Sequence, residues 1–288
     1  MVYTRKDVST LTRSERRRFV NAVLEVKRRG EYDELVRMHM QYYAPDGETG
    51  LRAAHMSPSF LPWHRRFLLD LENALRRADD AVTLPYWDWT RDRSPTAVPW
   101  TEDLLGGTGR RSDRQVMTGP FAFRNGAWTI REGVTDTEYL MRDLSRPRDP
   151  IALPTSKDVE AALADPVYDT APWNSTSRKG FRNKIEGWGP GRPPDSWRTH
   201  NRVHRWVGGH MVGGASVNDP VFWLHHAYVD LLWSRWQRRH KGARYLPSKP
   251  PARGDAQRGR VVARRQKLPP WDVTPQDLED HSRIYRYA

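Results

Sequence analysis

Cysteine is absent from the sequence. Its absence excludes disulfides, zinc–thiolate sites, iron–sulfur clusters and cysteine nucleophiles, so any metal must be held by histidine or carboxylate side chains. Long apolar runs are absent too, and no segment has the length of a membrane span. The first residues, Met1–Lys6, lack the apolar stretch of a signal peptide. We therefore expect no membrane insertion, and a chain that is cytoplasmic, already processed, or exported with the signal of another protein.

Hydrophobic residues make up only 37% of the 288 residues, which is low for a globular protein. The 13 tryptophans offset this scarcity, because each ring buries a large apolar area. The length is sufficient for a buried core, and neither an internal repeat nor a domain boundary is visible. We therefore predict a single domain over residues 1–288.

Acidic residues are too few to balance the basic ones, 35 against 48, and the net charge is +13. Such a charge can serve nucleic-acid binding, but no nucleic-acid motif accompanies it. The alternative is a solvated basic surface, which can face an acidic protein partner. We favour this alternative and expect no nucleic-acid partner.

Helical periodicity dominates what is present, and it predicts a mainly α fold. The long stretch between the third and fourth predicted helices is rich in glycine, proline and tryptophan, and we interpret it as irregular loops with a few short strands. Capping residues and prolines mark several helix starts. The five predicted helices run from the capping box Thr12–Glu15 to about Gly30, from Tyr32 to Tyr43, from about Pro62 onward, from Thr199 to Val207, and from Asp219–Pro220 onward.

Histidines recur on the apolar faces of these helices, where they do not serve solubility. His39, His64 and His226 each lie on such a face. Any one of them alone would most simply be a neutral core imidazole bonded to a carbonyl, but recurrence on three helices weakens that interpretation. His200 and His204 are spaced i, i+4, which places both rings on one helix face where they can share a metal.

The residues around these histidines limit the kind of metal site. Di-iron bundles need Glu-x-x-His pairs, and Glu72 on the third helix has no histidine three residues on. The His-Glu-x-x-His pattern of zinc proteases is also absent. Imidazole ligands suit copper, zinc, iron and nickel. The residues alone predict a dinuclear histidine site that binds copper or zinc.

Two longer motifs resemble the copper sites of the tyrosinases. One joins His39, His55 and His64 with the string Ser57–Phe67, and the other joins His200–His204 with Asn218–His226. The similarity covers almost the whole chain and is greatest to the short bacterial tyrosinases. It implies a central four-helix bundle and two copper ions, one bound by His39, His55 and His64 and the other by His200, His204 and His226.

The resemblance also implies a reaction. Tyrosinases use dioxygen to hydroxylate small monophenols at the ortho position and to oxidise o-diphenols to o-quinones, chemistry that leads to melanin. An o-aminophenol or catechol oxidase with little hydroxylase activity stays open as an alternative. An oxygen carrier of the hemocyanin type is a third interpretation, against which the small size and the lack of assembly domains argue.

Some assignments depend mainly on the resemblance. His225 and His226 are adjacent, and a helix turns about 100° between neighbours, so only one can face a given copper. The family pattern and the apolar stripe favour His226, and we expect His225 to be a structural, hydrogen-bonded histidine. His55 lies in a loop, where periodicity carries no information. Asp230, one turn after His226, either anchors a ligand ring or a neighbouring backbone group, or is a buried structural acid.

By the same resemblance, Glu186 and Asn201 match a glutamate and an asparagine that hold a water and help to deprotonate the phenol. A carboxylate can take the proton and an amide can orient the water. The alternative is that Glu186 pairs with a surface arginine. The segment Gly187–Thr199 is longer than its counterpart in the family, and this extra length can reshape the entrance.

Further residues are expected at the substrate. Gly214, in a loop with four glycines, lies near the family's substrate-gating position and predicts an open mouth. We expect Phe222 to form an apolar wall against the ring, and Arg205 either to steer polar phenols or to be a solvated helix residue. The chain stops at Tyr285–Tyr287, which resembles the tyrosine motif that closes the core domain. We therefore expect no C-terminal plug domain and hypothesise a separate small protein that shields the site and delivers copper.

Overall fold

The structure is a computed structural model and describes residues 2–43 and 50–288. It confirms the mainly α fold. Two three-residue strands, β1 (Tyr3–Arg5) and β2 (Tyr285–Tyr287), pair in parallel. The helices in the described ranges are α1 (Arg13–Arg28), α2 (Glu31–Tyr42), α3 (Phe60–Ala78), α4 (Ser156–Leu163), α5 (Phe181–Glu186), α6 (Thr199–Val207) and α7 (Val221–Arg239).

The helix starts follow local sequence signals. Thr12 caps α1, and its side chain and that of Glu15 bond each other's backbone N–H groups in the predicted capping box. Helix α3 begins at Phe60, slightly before the predicted start, and places Pro62 in its first turn, where a missing N–H costs nothing. Helix α7 follows directly after Pro220.

The stretch between α3 and α6 differs from the prediction in one respect. It contains the short helices α4 and α5, whereas loops and a few short strands were expected. A second capping box, formed by Thr155 and Asp158, starts α4 and was the local signal available for it. The only regular strands within the described ranges lie near the two ends of the chain, while the central stretch shows isolated bridges.

Helices α3 and α7 lie side by side at the centre of the molecule and are buried along most of their length. Tryptophans fill the space around them, including the fully buried Trp63, Trp223 and Trp233. Helices α2 and α6 pack on this pair. The four helices therefore form the framework that carries the histidines.

A buried ionic network ties the chain ends to the central pair. Arg5 of β1 reaches Glu72 on α3 at 2.6 Å and Asp230 on α7 at 3.3 Å. Arg65 on α3 binds the other oxygen of Asp230 at 2.6 Å. All of these side chains are at most 3% exposed. Their mutual ion pairs therefore replace the hydration that each charged group lost on burial.

Asp230 also accepts hydrogen bonds from the hydroxyls of Tyr285 and Tyr287 at 2.6 and 2.5 Å. Its partners are thus arginines and the terminal tyrosines, so Asp230 is a buried structural acid, the second of the two roles considered for it. Burial raises the pKa of Asp230, but Arg65 and Arg5 outweigh burial and lower that pKa to about 2. In the described part of the chain, no helix combines the length and apolar character needed to cross a membrane.

Asp230→Ala should strongly destabilise the fold, because it leaves two buried guanidinium groups without a counter-charge. We expect a loss of about 3–5 kcal/mol in the free energy of unfolding, measured in denaturant. The matched control is Glu160→Ala, which removes one exposed ion pair with Arg239 and should change little.

The same carboxylate predicts a pH dependence. Its pKa is about 2 in the folded state and about 3.9 in an unfolded chain, so its stabilising effect is complete above about pH 4 and is lost as the pH falls towards 2. Asp230→Asn should show a flatter stability profile in that window. Equal slopes for the variant and the parent protein would contradict the network.

Candidate metal centre

One group of three buried histidines gathers at the end of α2 and the start of α3. His39 comes from α2, His64 from α3, and His55 from the loop between them. Their metal-binding nitrogens all lie within 4.8 Å of one another. The ring of His55 is 5.0 Å from each of the other two, centroid to centroid. Three imidazoles can therefore reach one ion.

A second group forms between α6 and α7. The i, i+4 pair on α6, His200 and His204, has ring centroids 4.5 Å apart, and His226 of α7 lies 4.8 Å from His200. His225 also falls within this group. The ring of His226 stacks on that of His64 at 4.1 Å, so the two groups share one wall and form a single centre.

Backbone carbonyls fix the orientation of three of these rings. His39 Nδ1 lies 2.6 Å from the carbonyl oxygen of Gly214, and His204 Nδ1 lies 2.6 Å from that of Met211. His64 Nδ1 lies 2.9 Å from the carbonyl oxygen one turn before it. A carbonyl can only accept, so each Nδ1 carries the proton and each Nε2 presents a lone pair to the interior.

The Nε2 atoms converge in a way that fits a cation. His200 Nε2 lies 3.0 Å from His204 Nε2 and 3.2 Å from His226 Nε2. The Nδ1 of His200 faces the carbonyl oxygen of Glu186 at 3.2 Å, so His200, like His204, turns a bare nitrogen inward. Two lone pairs cannot bond each other, and a metal ion between them removes the repulsion.

The first histidine group also presents unpaired nitrogens that a cation could bind. The Nε2 atoms of His39 and His64 and the Nδ1 of His55 are buried and have no hydrogen-bond partner among the described residues. Unpaired buried nitrogens are costly unless something binds them. With no thiolate in the sequence, all-imidazole donor sets of this kind suit copper.

The geometry favours His226 over His225 as a ligand. The indole N–H of Trp89 donates to Nδ1 of His225 at 3.1 Å, which leaves the proton of that ring on Nε2. His225 is therefore hydrogen-bonded, as expected, whereas His226 offers its Nε2 to the cluster. The assignment of the six ligands stays a prediction.

Burial keeps these rings neutral. It lowers the pKa of His39 and that of His204 to about 4, even though each Nδ1 is bonded to a carbonyl that works in the opposite direction. The pKa values of His55, His64, His200 and His226 are also lowered, chiefly by burial. Neutral imidazole is the form that binds metal, so the site is prepared for it at neutral pH.

Glu186 is fully buried at the end of α5, and both of its oxygens are engaged. One accepts the backbone N–H of Met56 at 2.6 Å, and the other binds Arg182 at 2.9 Å. Arg182 is itself held by Asp169 at 2.8 Å, and all three charged side chains are buried. Burial raises the pKa of Glu186 although Arg182 opposes this. The partner arginine is buried rather than superficial, and sequence reasoning missed it.

Asn201 lies beside the second group. Its Oδ1 faces His200 Nδ1 at 2.9 Å, and its buried Nδ2 has no hydrogen-bond partner in the described ranges. Asn201 also lines the small cavity in front of His55, His200 and His204. A free N–H donor therefore lies where a substrate or a water would meet the metal centre.

The predicted substrate residues occupy three different places. Phe222 packs against the rings of His226 and His39, at 4.2 and 5.0 Å, beneath both histidine groups. Gly214 uses its carbonyl to orient His39, and a Cβ at this position would touch the ring of Tyr43 at 3.3 Å. Arg205 binds two carboxylates, those of Asp149 and Asp195.

The cavity at the metal centre has a volume of only about 30 Å³. The open mouth expected from Gly214 is therefore not what the structure shows. Aromatic rings close it, because Tyr43, Trp188 and Trp197 all line the cavity. Trp197 belongs to the segment recognised as long in the sequence, but nothing in the sequence indicated where its ring would lie.

The chain is similar to known tyrosinases over nearly its whole length. A family model described as the common central domain of tyrosinase matches residues 29–239. A tyrosinase from Streptomyces glaucescens is 51% identical over 285 residues, which cover 98% of this chain and 98% of that protein. Grixazone synthase from Streptomyces griseus is 43% identical over 314 residues, covering 100% of this chain and 99% of its own.

Solved structures share the fold at lower identity. A polyphenol oxidase variant from Thermothelomyces thermophila superimposes with a TM-score of 0.71 at 21% identity, over 100% of this chain and 89% of that one. A functional unit of octopus hemocyanin gives a TM-score of 0.60 at 20% identity, over 99% of this chain and 68% of that one. At these identities the likeness concerns the fold alone.

Copper content should show which of the adjacent histidines of α7, His225 or His226, is a metal ligand. We expect the purified parent protein, loaded with copper, to hold two ions per chain, and His226→Gln to hold one. His225→Gln is the matched control and should retain two, because its ring is bonded to Trp89. The measurement is metal analysis of folded protein, and two coppers in His226→Gln would overturn the assignment.

The lowered histidine pKa values predict acid sensitivity of the metal-free chain. An unfolded imidazole titrates near pH 6.5, while His39 and His204 in the folded chain titrate near 4. The unfolded state therefore binds more protons between these values, and stability should fall as the pH drops from about 6.5 to about 4. Thermal melting in the presence of a chelator measures this. His204→Phe should show a shallower fall, and an unchanged slope would contradict the cause.

Proposed function

The chain belongs to the tyrosinase family and is a copper oxidoreductase of the tyrosinase type, and from this premise we propose that it hydroxylates monophenols at the ortho position and oxidises o-diphenols to o-quinones, chemistry that leads to melanin. The observation that carries the proposal is the convergence of bare imidazole nitrogens in two adjoining buried groups. His39, His55 and His64 would hold one copper, and His200, His204 and His226 the other.

When bound, the two coppers supply the activation of dioxygen. The protein contributes rigidity, because carbonyls hold His39, His64 and His204 by their Nδ1–H groups. Phe222 packs beneath both groups and excludes water from that side. A fixed, dry set of ligands lowers the reorganisation that each turnover requires.

Asn201 and Glu186 would act on the phenol. The free Nδ2 of Asn201 can donate to the oxygen of a water or of the phenol at the cavity. Glu186 holds the backbone of Met56, next to His55, and its carbonyl holds His200. In this proposal Asn201 orients the oxygen, and Glu186 supplies the negative charge that favours loss of the phenolic proton.

One observation favours a second candidate, an oxidase of catechols or o-aminophenols with little hydroxylation. Glu186 is already paired with Arg182 and with the N–H of Met56, which reduces its ability to accept a further proton. Diphenol oxidation inserts no oxygen into the ring, so we expect it to depend less on such a base than the hydroxylation of a monophenol does. A carrier of dioxygen is the third candidate, since the hemocyanin unit has the same fold.

A small partner that delivers copper belongs to this proposal as well. All six predicted ligands are at most 8% exposed, and the cavity in front of them is narrow, so an ion reaches them with difficulty. Expression of the chain alone in copper-rich medium should then give incomplete loading. Full loading without any partner would remove the need for one.

Substrate choice distinguishes the candidates. We expect the copper-loaded chain to convert tyrosine and catechol, with a quinone absorbance as the readout. Turnover of catechol or o-aminophenol without tyrosine would support the second candidate, and reversible binding of dioxygen without turnover would support the third.

Asn201→Ala should lower kcat/KM for tyrosine about tenfold or more and that for catechol much less, because the lost donor acts on the monophenol step. Asn125→Ala, an exposed asparagine outside the cavity, is the matched control. An equal loss for both substrates would indicate damage to the copper site rather than a role in hydroxylation.

A further inference from the structure

The long segment before α6 folds into a closed hairpin, defined here as residues 187–198. The N–H of Arg198 donates to the carbonyl of Gly187 at 2.8 Å and closes the base. Trp188 and Trp197 form an antiparallel bridge one step further in. The hairpin is therefore a built structure that begins directly after Glu186 and ends just before His200.

Glycine is required at the base of this hairpin. Gly187 has φ +98°, and a Cβ on it would lie 2.2 Å from the carbonyl oxygen of Arg198. A Cβ on Gly189 would lie 2.4 Å from the carbonyl oxygen of Ser196. The two backbones approach so closely that only glycine fits, which fixes where the two tryptophans project.

The two indole rings meet at the metal centre. They are perpendicular, at 90° and 6.3 Å between centroids, and both line the cavity together with His200, Asn201 and His204. The Nε1 atom of Trp197 is buried and has no hydrogen-bond partner in the described ranges. Like the Nδ2 of Asn201, it is a donor available to an oxygen of a ligand.

The cavity behind these rings is too small for any phenol. Its volume of about 30 Å³ is far below the roughly 300 Å³ or more that ligand pockets usually offer. An aromatic substrate reaches the histidines only if a wall of the cavity moves. Among the described elements that line the cavity, the hairpin is the most exposed, because its tip at residues 190–195 lies in solvent.

One ion pair and one hydrogen bond from Arg205 hold the tip in place. Arg205 on α6 binds Asp195 of the tip at 2.9 Å and donates to the carbonyl of Pro194 at 3.2 Å. Its other nitrogen binds Asp149 at 3.0 Å. Asp195 and Asp149 are 85% and 58% exposed, although Arg205 is only 13% exposed, so water and salt weaken both pairs from the carboxylate side. The contacts that hold the tip are therefore sensitive to ionic strength.

We infer that the hairpin 187–198 determines the substrate range of the copper site, with Trp197 as the specificity-determining residue and Arg205 as a positioning residue that latches the tip. The inference rests on the proposed phenol oxidation. It assigns the site to small, flat, single-ring phenols, which enter with a limited displacement of Trp197. Phenols whose substituent is branched at the carbon attached to the ring, or is part of a peptide, meet its indole ring and are excluded, whereas the unbranched first carbon of tyrosine passes it.

The central experiment compares Trp197→Ala and Trp197→Phe with the copper-loaded parent protein, using catechol and 4-tert-butylcatechol. We expect Trp197→Ala to raise the ratio of kcat/KM for the bulky over the small catechol by about tenfold, and Trp197→Phe to restore most of the parent ratio. The matched control is Trp173→Ala, a partly buried tryptophan outside the cavity, which should leave the ratio unchanged.

A second measurement reports on the latch without relying on turnover. The rate at which a chelator removes copper should rise several-fold in Asp195→Ala and should rise with ionic strength in the parent protein. Arg110→Ala, which removes an exposed ion pair with Asp113 away from the cavity, is the control and should leave the rate unchanged. Melting temperatures of all variants separate opening of the hairpin from general destabilisation.

The outcomes distinguish the role of the hairpin from the proposed phenol oxidation. An unchanged catechol ratio in Trp197→Ala, together with an unchanged chelation rate in Asp195→Ala, overturns the inference about the hairpin while phenol oxidation stands. A protein that holds two coppers and oxidises neither catechol overturns the proposed function itself. In that case a faster chelation rate in Asp195→Ala would still support the hairpin as the cover of the metal centre.

Discussion

Carbonyl oxygens that hold Nδ1–H groups are the interactions on which this centre depends. One glycine-rich loop provides two of them, since the carbonyl of Met211 orients His204 and that of Gly214 orients His39. The loop thereby orients one histidine in each group. Because each Nδ1 donates, each Nε2 must face inward as a lone pair, and the interior becomes a place where only a cation relieves the repulsion.

A second residue links the two groups from the opposite side. Glu186 accepts the N–H of Met56 through its side chain and faces the Nδ1 of His200 through its backbone carbonyl. The neighbour of His55 and the first histidine of α6 are thus held by one residue, and Arg182 and Asp169 fix that residue in turn. A buried carboxylate with two such partners stabilises the structure alongside any role in proton transfer. Only experiment can distinguish these two roles.

The central pair α3 and α7 needs support of its own, because the rings of His64 and His226 stack across it at 4.1 Å. Arg65 follows directly after His64, and Asp230 lies one turn beyond His226, so the ionic network adjoins the metal centre. Through Arg5 and the terminal tyrosines, the two ends of the chain are fastened to the same carboxylate. The distance between the helices that carry the ligands is therefore set partly by residues far away in sequence.

The sequence by itself determined the helices and most of the metal centre. Periodicity placed His39, His64 and His226 on buried faces, and the i, i+4 spacing placed His200 and His204 together, because both signals depend only on local helix geometry. Resemblance to a family was needed for His55, which lies in a loop. The short helices α4 and α5 were missed, since their patterns extend over too few residues.

Only the tertiary structure decided which partners these residues meet. In the fold, Asp230 binds two arginines and two tyrosines, and Glu186 pairs with a buried arginine. Arg205 pairs with the hairpin tip. The glycines of the sequence suggested an open entrance to the metal centre, but the ring of Trp197 narrows the cavity there. The physical reason is the same in each case: a local pattern fixes the face on which a side chain lies, while its contacts depend on segments whose approach no local pattern encodes.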